Sequence, residues 1–188
     1  SDQFTDTMNI TVASSGLLDL NGFNQKFGSI TVSSGPSSGA QITTGAGTLT
    51  MAGTTSQNLT HTYAGTGASA ATITGKFSLG VTARTFTVAE CAATDDLNIT
   101  AVISGNAGIG LTKAGAGRLT IASVSTFDGA TTVSAGSLSL KDAGTAASVP
   151  SWTLSAGGTL GLDNSGTNLG NRLSDTAPVN LNGGKLSL

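Results

Sequence analysis

The sequence predicts an all-β chain wound into a right-handed parallel β-helix, a β-solenoid of about nine coils at roughly 20 residues each. Three observations predict it. A template of the form small-Gly-x-Leu-x-apolar occurs five times, at residues 46–51, 116–121, 135–140, 157–162 and 183–188. The last four copies begin 19, 22 and 26 residues apart, an internal period that marks repeat architecture. Within the copies the side chains alternate: Leu119 and Ile121 with Arg118 and Thr120, Leu138 and Leu140 with Ser137 and Ser139. That period of two belongs to a strand with one buried face. The composition agrees, with 27 Gly, 30 Thr and only 10% charged residues against about 25% in an ordinary soluble domain. Disorder would pair low hydrophobicity with high net charge, whereas here the net charge is −2.

Taken in order, residues 1–15 open polar and settle into an alternating strand at 8–12. In 16–32, Leu18, Leu20, Ile30 and Val32 are expected to face inward, with Asn21-Gly22 as a turn. Residues 34–40 read as a loop in which Pro36 interrupts a ladder. The first template copy follows within 41–53. The pattern then loosens through QNLTHTYAGTG and ATITGKFSLG. Next, VTARTFTV and DLNITAVI flank a polar corner at Thr94-Asp95-Asp96. The clearest stretch is 105–140, where Ala116-Gly117 and Ala135-Gly136 turn the chain ahead of each strand. A small-residue loop with Pro150, the strands in SWTLSAGGTLGLDN, a polar loop and PVNLNGGKLSL complete the chain.

A single coil cannot bury its own leucines; stacking at about 4.8 Å provides both ladder hydrogen bonds and a dry interior. Leu119, Ile121, Leu138, Leu140, Leu160, Leu162 and Leu186 are therefore expected inward in stacked rows. A propeller would need blades of about 40–50 residues, and an antiparallel sandwich would show regular hairpin signals that are sparse here.

Residues 110–140 resemble the autotransporter-associated β-strand repeat of bacterial passenger regions. The resemblance is carried by Gly110-Leu111-Thr112-Lys113, Gly115-x-Gly117-x-Leu119-Thr120, Phe127 before Gly129, Thr131-Thr132-Val133 and Ala135-Gly136-x-Leu138. Residues 18–30 and 157–188 are similar to segments that accompany this repeat. Phe127-Asp128 stands where the family usually has Tyr-Thr, and Ala130 where Gly is common. The resemblance implies a right-handed parallel β-helix displayed or secreted outside a bacterial cell, and it brings no catalytic residues.

Residues that could carry chemistry have plainer readings. His61 is the single histidine, so a Ser-His-Asp triad would have to use it; its alternating strand marks a surface residue. Asp95-Asp96 beside Glu90 could form a glycosidase-like pair, but turn chemistry favours a solvated corner. Asp163, Asn164, Ser165, Thr167 and Asn168 offer spaced oxygens for calcium, without an EF-hand or nonapeptide pattern; an Asx-rich turn is expected. Cys91, alone in the chain, excludes an internal disulfide and reads as a small buried hydrophobe. Lys113 and Arg118 are expected on a solvated face. Trp152, Tyr63 and outer phenylalanines could stack on sugars, though they are far apart in sequence. Asn9, Asn58 and Asn98 begin N-x-Thr triplets that a Thr-rich chain produces by chance.

No catalytic, cofactor-binding or metal residue is therefore expected. The acidic balance, with a pI near 5.0, argues against nucleic acid, and no apolar run approaches the ~20 residues of a membrane span. The opening carries no signal-peptide pattern, which suits a mature product, a fragment or a cytoplasmic chain. The expectation is one domain over 1–188, part of a longer repeat protein or fibre. Its role is that of a structural or adhesive, non-enzymatic component of an extracellular bacterial surface. The alternative is a carbohydrate-active or carbohydrate-binding β-helix. Because Gly184-Lys185-Leu186-Ser187-Leu188 form a strand without a cap, the expected partners are a continuing chain or a second copy docking end to end on the strand at 8–12. Surface glycans are a further possible partner.

Overall fold

The computed structural model describes residues 3–53 and 57–188. The first coil holds β1 (Ile10–Val12), β2 (Leu17–Asp19) and β3 (Gln25–Phe27). The second holds β4 (Ile30–Ser34), β5 (Gln41–Thr43) and β6 (Leu49–Met51). The third holds β7 (Leu59–Tyr63), β8 (Ala71–Thr74) and β9 (Lys76–Ser78), and the fourth β10 (Arg84–Val88), β11 (Leu97–Ile99) and β12 (Val102–Ser104). Later coils keep two strands each: β13 (Leu111–Ala114) with β14 (Arg118–Ile121), and β15 (Thr131–Val133) with β16 (Gly136–Lys141). Then come β17 (Trp152–Ser155) with β18 (Gly158–Asp163), and β19 (Val179–Asn182) with β20 (Lys185–Ser187).

Every named strand pairs in parallel with the strand one coil away, giving two eight-stranded sheets and a four-stranded third. This is a parallel β-solenoid, as the repeat predicts. The third side does not end with β12. Parallel bridges Ile103↔Ser125, Val124↔Thr145 and Ala146↔Leu173 carry it through the later coils. The two long sheets are eight strands deep rather than the nine coils expected. The reason is loop length: Ile10 sits opposite Ile30, but Ile30 sits opposite Leu59, 29 residues on.

The second sheet holds the deepest apolar columns. Ala71, Leu97, Leu119, Leu138, Leu160 and Leu186 stand in one register line. Ile42, Ile73, Ile99, Ile121, Leu140 and Leu162 form the next. Of the expected core set, Leu119, Ile121, Leu138, Leu140 and Leu160 are buried, while Leu162 and Leu186 are partly buried at the end of the stack. Four template copies share these columns. The fifth, 46–51, does not: Leu49 and Met51 belong to β6 on the third side. A corner-plus-strand fits any side of the coil, so the template marks a strand without saying which sheet it joins.

Corners need special backbone. Gly75 turns the chain between β8 and β9 with φ +98°. Gly136 opens β16 at φ +61°, and a Cβ there would lie 2.5 Å from the carbonyl oxygens of Gly115, Ala116 and Gly117. Only glycine fits that contact. Outside the core, threonines stack rung on rung, Thr11-Thr31-Thr60-Thr87 in one line and Thr112-Thr132-Thr153 in another. β-branched side chains suit such a pleated, half-buried surface. Asparagine and aspartate at corners extend the ladders: Ser29 N–H donates to Asn9 Oδ1 (2.7 Å), Thr85 N–H to Asn58 Oδ1 (2.9 Å) and Gly108 N–H to Asp128 Oδ1 (2.7 Å). Asp128 therefore secures the corner where the chain departs from Tyr-Thr, and Phe127 beside it is buried.

Candidate functional site

Inside the first sheet, five polar side chains occupy inward positions of otherwise apolar columns: Ser34, His61, Arg84, Lys113 and Thr131. Val12, Val32, His61 and Val88 share one line. Ile10, Ile30, Leu59, Phe86, Lys113, Val133 and Leu154 share another. Arg84 stands beside Leu111. Ser34 closes β4 and is fully buried. Burying such groups is costly unless each is hydrogen-bonded, and the partners decide what the cluster does.

His61 is 1% exposed, not a surface residue as the alternation of THT suggested. Its Nε2 lies 2.8 Å from Ser34 Oγ, which also donates to the Asp96 carbonyl at 3.1 Å. Burial pushes the His61 pKa down, against the opposing pull of the Asp96 charge. Asp96 is buried as well, correcting the solvated corner expected for it. Its carboxylate accepts from the Cys91 N–H (2.8 Å), the Cys91 thiol (2.7 Å) and the Arg118 N–H (2.6 Å). A triad needs that carboxylate on the imidazole to orient it, and here it is turned to the backbone. Ser34, His61 and Asp96 thus share a buried polar plug without the geometry of a nucleophile, base and orienter.

Cys91 is partly exposed rather than buried. Burial and its bond to Asp96 raise its pKa, the reverse of what activates a thiol. Asp95 lies on the outer face, accepting from Thr120 Oγ1 at 2.6 Å and facing Arg118 at 3.9 Å. Asp95 and Asp96 therefore point to opposite sides of the wall and cannot share a substrate. Glu90 is exposed. Arg118 is solvated as expected.

Lys113 is the clearest departure. Expected in solvent, it is 0% exposed, and its Nζ donates to the carbonyls of Ala114 (2.9 Å), Gly115 (2.9 Å) and Ala135 (3.1 Å). Those carbonyls belong to the corners of adjacent coils, so the ammonium clips one corner to the next. Burial pulls its pKa from 10.5 to about 8, opposed by Asp96 and Glu90. Between those values the unfolded chain holds a proton that the folded chain has released, so stability rises with pH across that window. Chemical denaturation at pH 8 and pH 10 should show this gain in the natural chain, and Lys113→Met should lose it.

Two arginines, neither singled out by the sequence, serve as internal caps in the same way. Arg84 donates to Leu79, Gln57, Met51, Ala52 and Gly53 carbonyls at 2.7–3.1 Å. Arg172 fills the loop that offered calcium oxygens: it donates to Asn164 Oδ1 and to the carbonyls of Asp163, Thr167, Asp142 and Gly144. Asp163 Oδ1 accepts from the Ser165 N–H and hydroxyl, an Asx turn. The loop holds a cation of its own. Among the described residues no group of three or more His, Cys, Asp or Glu could bind a metal, and no helix is long and apolar enough to cross a membrane.

The aromatic platform does not form. Trp152 is buried in β17, whereas Tyr63 is exposed on β7. Phe4 and Phe23 are exposed, and Phe4 leans on Phe27 at 5.7 Å.

No curated protein and no solved structure matches the chain. One family does: residues 111–140, which run from the start of β13 into β16 and include the Lys113 clip, match the passenger-associated-transport-repeat, the passenger-type repeat that the motifs of this stretch resemble.

Proposed function

We propose that the chain is a non-catalytic segment of a bacterial passenger protein, secreted or displayed at the cell surface, with a structural and adhesive role. The observation that supports it best is that the buried charges of Arg84, Lys113, Asp96 and Arg172 are spent mainly on backbone carbonyls and N–H groups, in their own coil and in the coils beside it. Such groups brace a rod. The passenger-type repeat supports the bacterial, exported setting.

A solenoid of this kind can lengthen. β1 and β19 are the outer strands of the first sheet, and an outer strand can accept a further coil or a second copy in parallel register. Small-angle scattering and sedimentation on the purified chain test the reading: an elongated particle whose mass grows with concentration is expected. A compact particle of fixed mass would contradict it. Incubation with polysaccharides should release no reducing ends, and turnover abolished by Asp95→Asn would replace the structural reading with an enzymatic one.

A further inference from the structure

Four hydroxyls on the outer face of the second sheet are turned to solvent. Ser137 and Ser139 on β16, Thr159 on β18 and Ser187 on β20 alternate with the inward leucines. Among the described residues none of the four has a hydrogen-bond partner in the protein. Ser139 is the sharpest case: the residue is only 7% exposed, and what it does expose opens into the groove. Its Oγ faces the space above Gly161, where a Cβ would lie 3.8 Å away. These residues line a cavity of about 580 Å³, within the size range of small-ligand sites.

The walls supply the complementary groups. Arg118 is held only loosely by Asp95, at 3.9 Å, and keeps guanidinium N–H groups to offer. Asn164 uses its Oδ1 on Arg172 and the Leu169 N–H, which leaves its amide N–H₂ as a donor. Asp163 uses Oδ1 on Ser165, which leaves Oδ2 as an acceptor. Leu162 adds an apolar patch. One cation and one anion balance each other, so the cavity prefers neither phosphate nor polycation. Donors, acceptors and hydroxyls around a mainly apolar surface match a ligand with hydroxyls at its rim and C–H groups on its face. Ser139, Gly161 and Ser187 form a line along the solenoid axis at about 4.8 Å per rung, comparable with one ring of an extended glycan.

We propose that this groove binds a neutral oligosaccharide. The inference deepens the adhesive reading by naming a ligand class, and its failure would leave the rod and its assembly untouched. The test follows amide NMR spectra of the isotope-labelled full chain titrated separately with cellotetraose, chitotetraose, mannotetraose and maltotetraose. At least one should give saturable shifts gathered at 137–139 and 159–165. Gly161→Leu, which fills the groove from a position of ordinary negative φ, should weaken binding at least tenfold and leave the rest of the spectrum in place. Ser139→Ala should weaken it less, by removing one hydroxyl. The proposal is overturned if no neutral tetrasaccharide binds at millimolar concentration, if the shifts gather elsewhere, or if Gly161→Leu binds like the natural chain. Binding of tetragalacturonate alone would also overturn it, by assigning the groove to acidic glycans.

Discussion

Arg84→Met is expected to unfold at markedly lower denaturant than the natural chain. The guanidinium serves five carbonyls, and three of them, Met51, Ala52 and Gly53, belong to the turn that leaves β6. Each buried acceptor left bare costs about 1–3 kcal/mol. Removing the charge recovers part of the cost of dehydrating it, and burial already depresses the Arg84 pKa. The net loss should be about 3 kcal/mol. Methionine keeps much of the volume, so the loss measures donors rather than packing. Arg84→Lys should fall between the two, because an ammonium has three donors where the fork has five. Urea midpoints at unchanged slope give the comparison; a loss below about 1 kcal/mol would mean that water replaces the guanidinium.

Leu138→Ala should be of similar severity. Leu138 is fully buried in the middle of the column formed by Leu119, Leu160 and Leu186. Neighbours held by ladders on both sides cannot collapse into the gap, so the upper part of the range of about 2–5 kcal/mol for Leu→Ala applies. Leu186→Ala, at the partly buried end of the same column, should cost distinctly less. Thermal unfolding of the two variants side by side checks the gradient. Equal losses would show that the column is not packed as a stack.

The period of two makes the fold legible, and it also holds the inward placement of the polar residues. In Arg84-Thr85-Phe86-Thr87-Val88 the arginine shares parity with Phe86 and Val88, and all three are buried. Lys113 shares parity with Leu111, His61 with Leu59, and Trp152 with Leu154. Charge argued for solvent and position argued for the core. Position wins because the coil corners leave carbonyls that a long cationic side chain can reach from inside. Other features could not be read from one strand at a time. The place of Leu49 on the third side, the length of the coil between Ile30 and Leu59, and the groove at Gly161 all depend on which strands become neighbours. That is decided by loop lengths, for which the sequence has no period. The Asx turn at Asp163 was legible, but its capture of Arg172 was not, because the arginine lies beyond a polar loop without alternation.

The register of successive coils can be read chemically from a pair of cysteines. In a Cys91→Ser background, Thr132→Cys with Thr153→Cys places thiols on facing positions of adjacent parallel strands. Adjacent strands lie about 4.8 Å apart, within the Cα separation of about 4.4–6.8 Å that a disulfide spans. Thr112→Cys with Thr153→Cys lies two rungs apart, at about twice the strand spacing and beyond reach. Mild oxidation of the monomer should close the first pair and leave the second as free thiols, read by mass and thiol titration. Closure of the second pair, or failure of the first, would contradict the stacked parallel register.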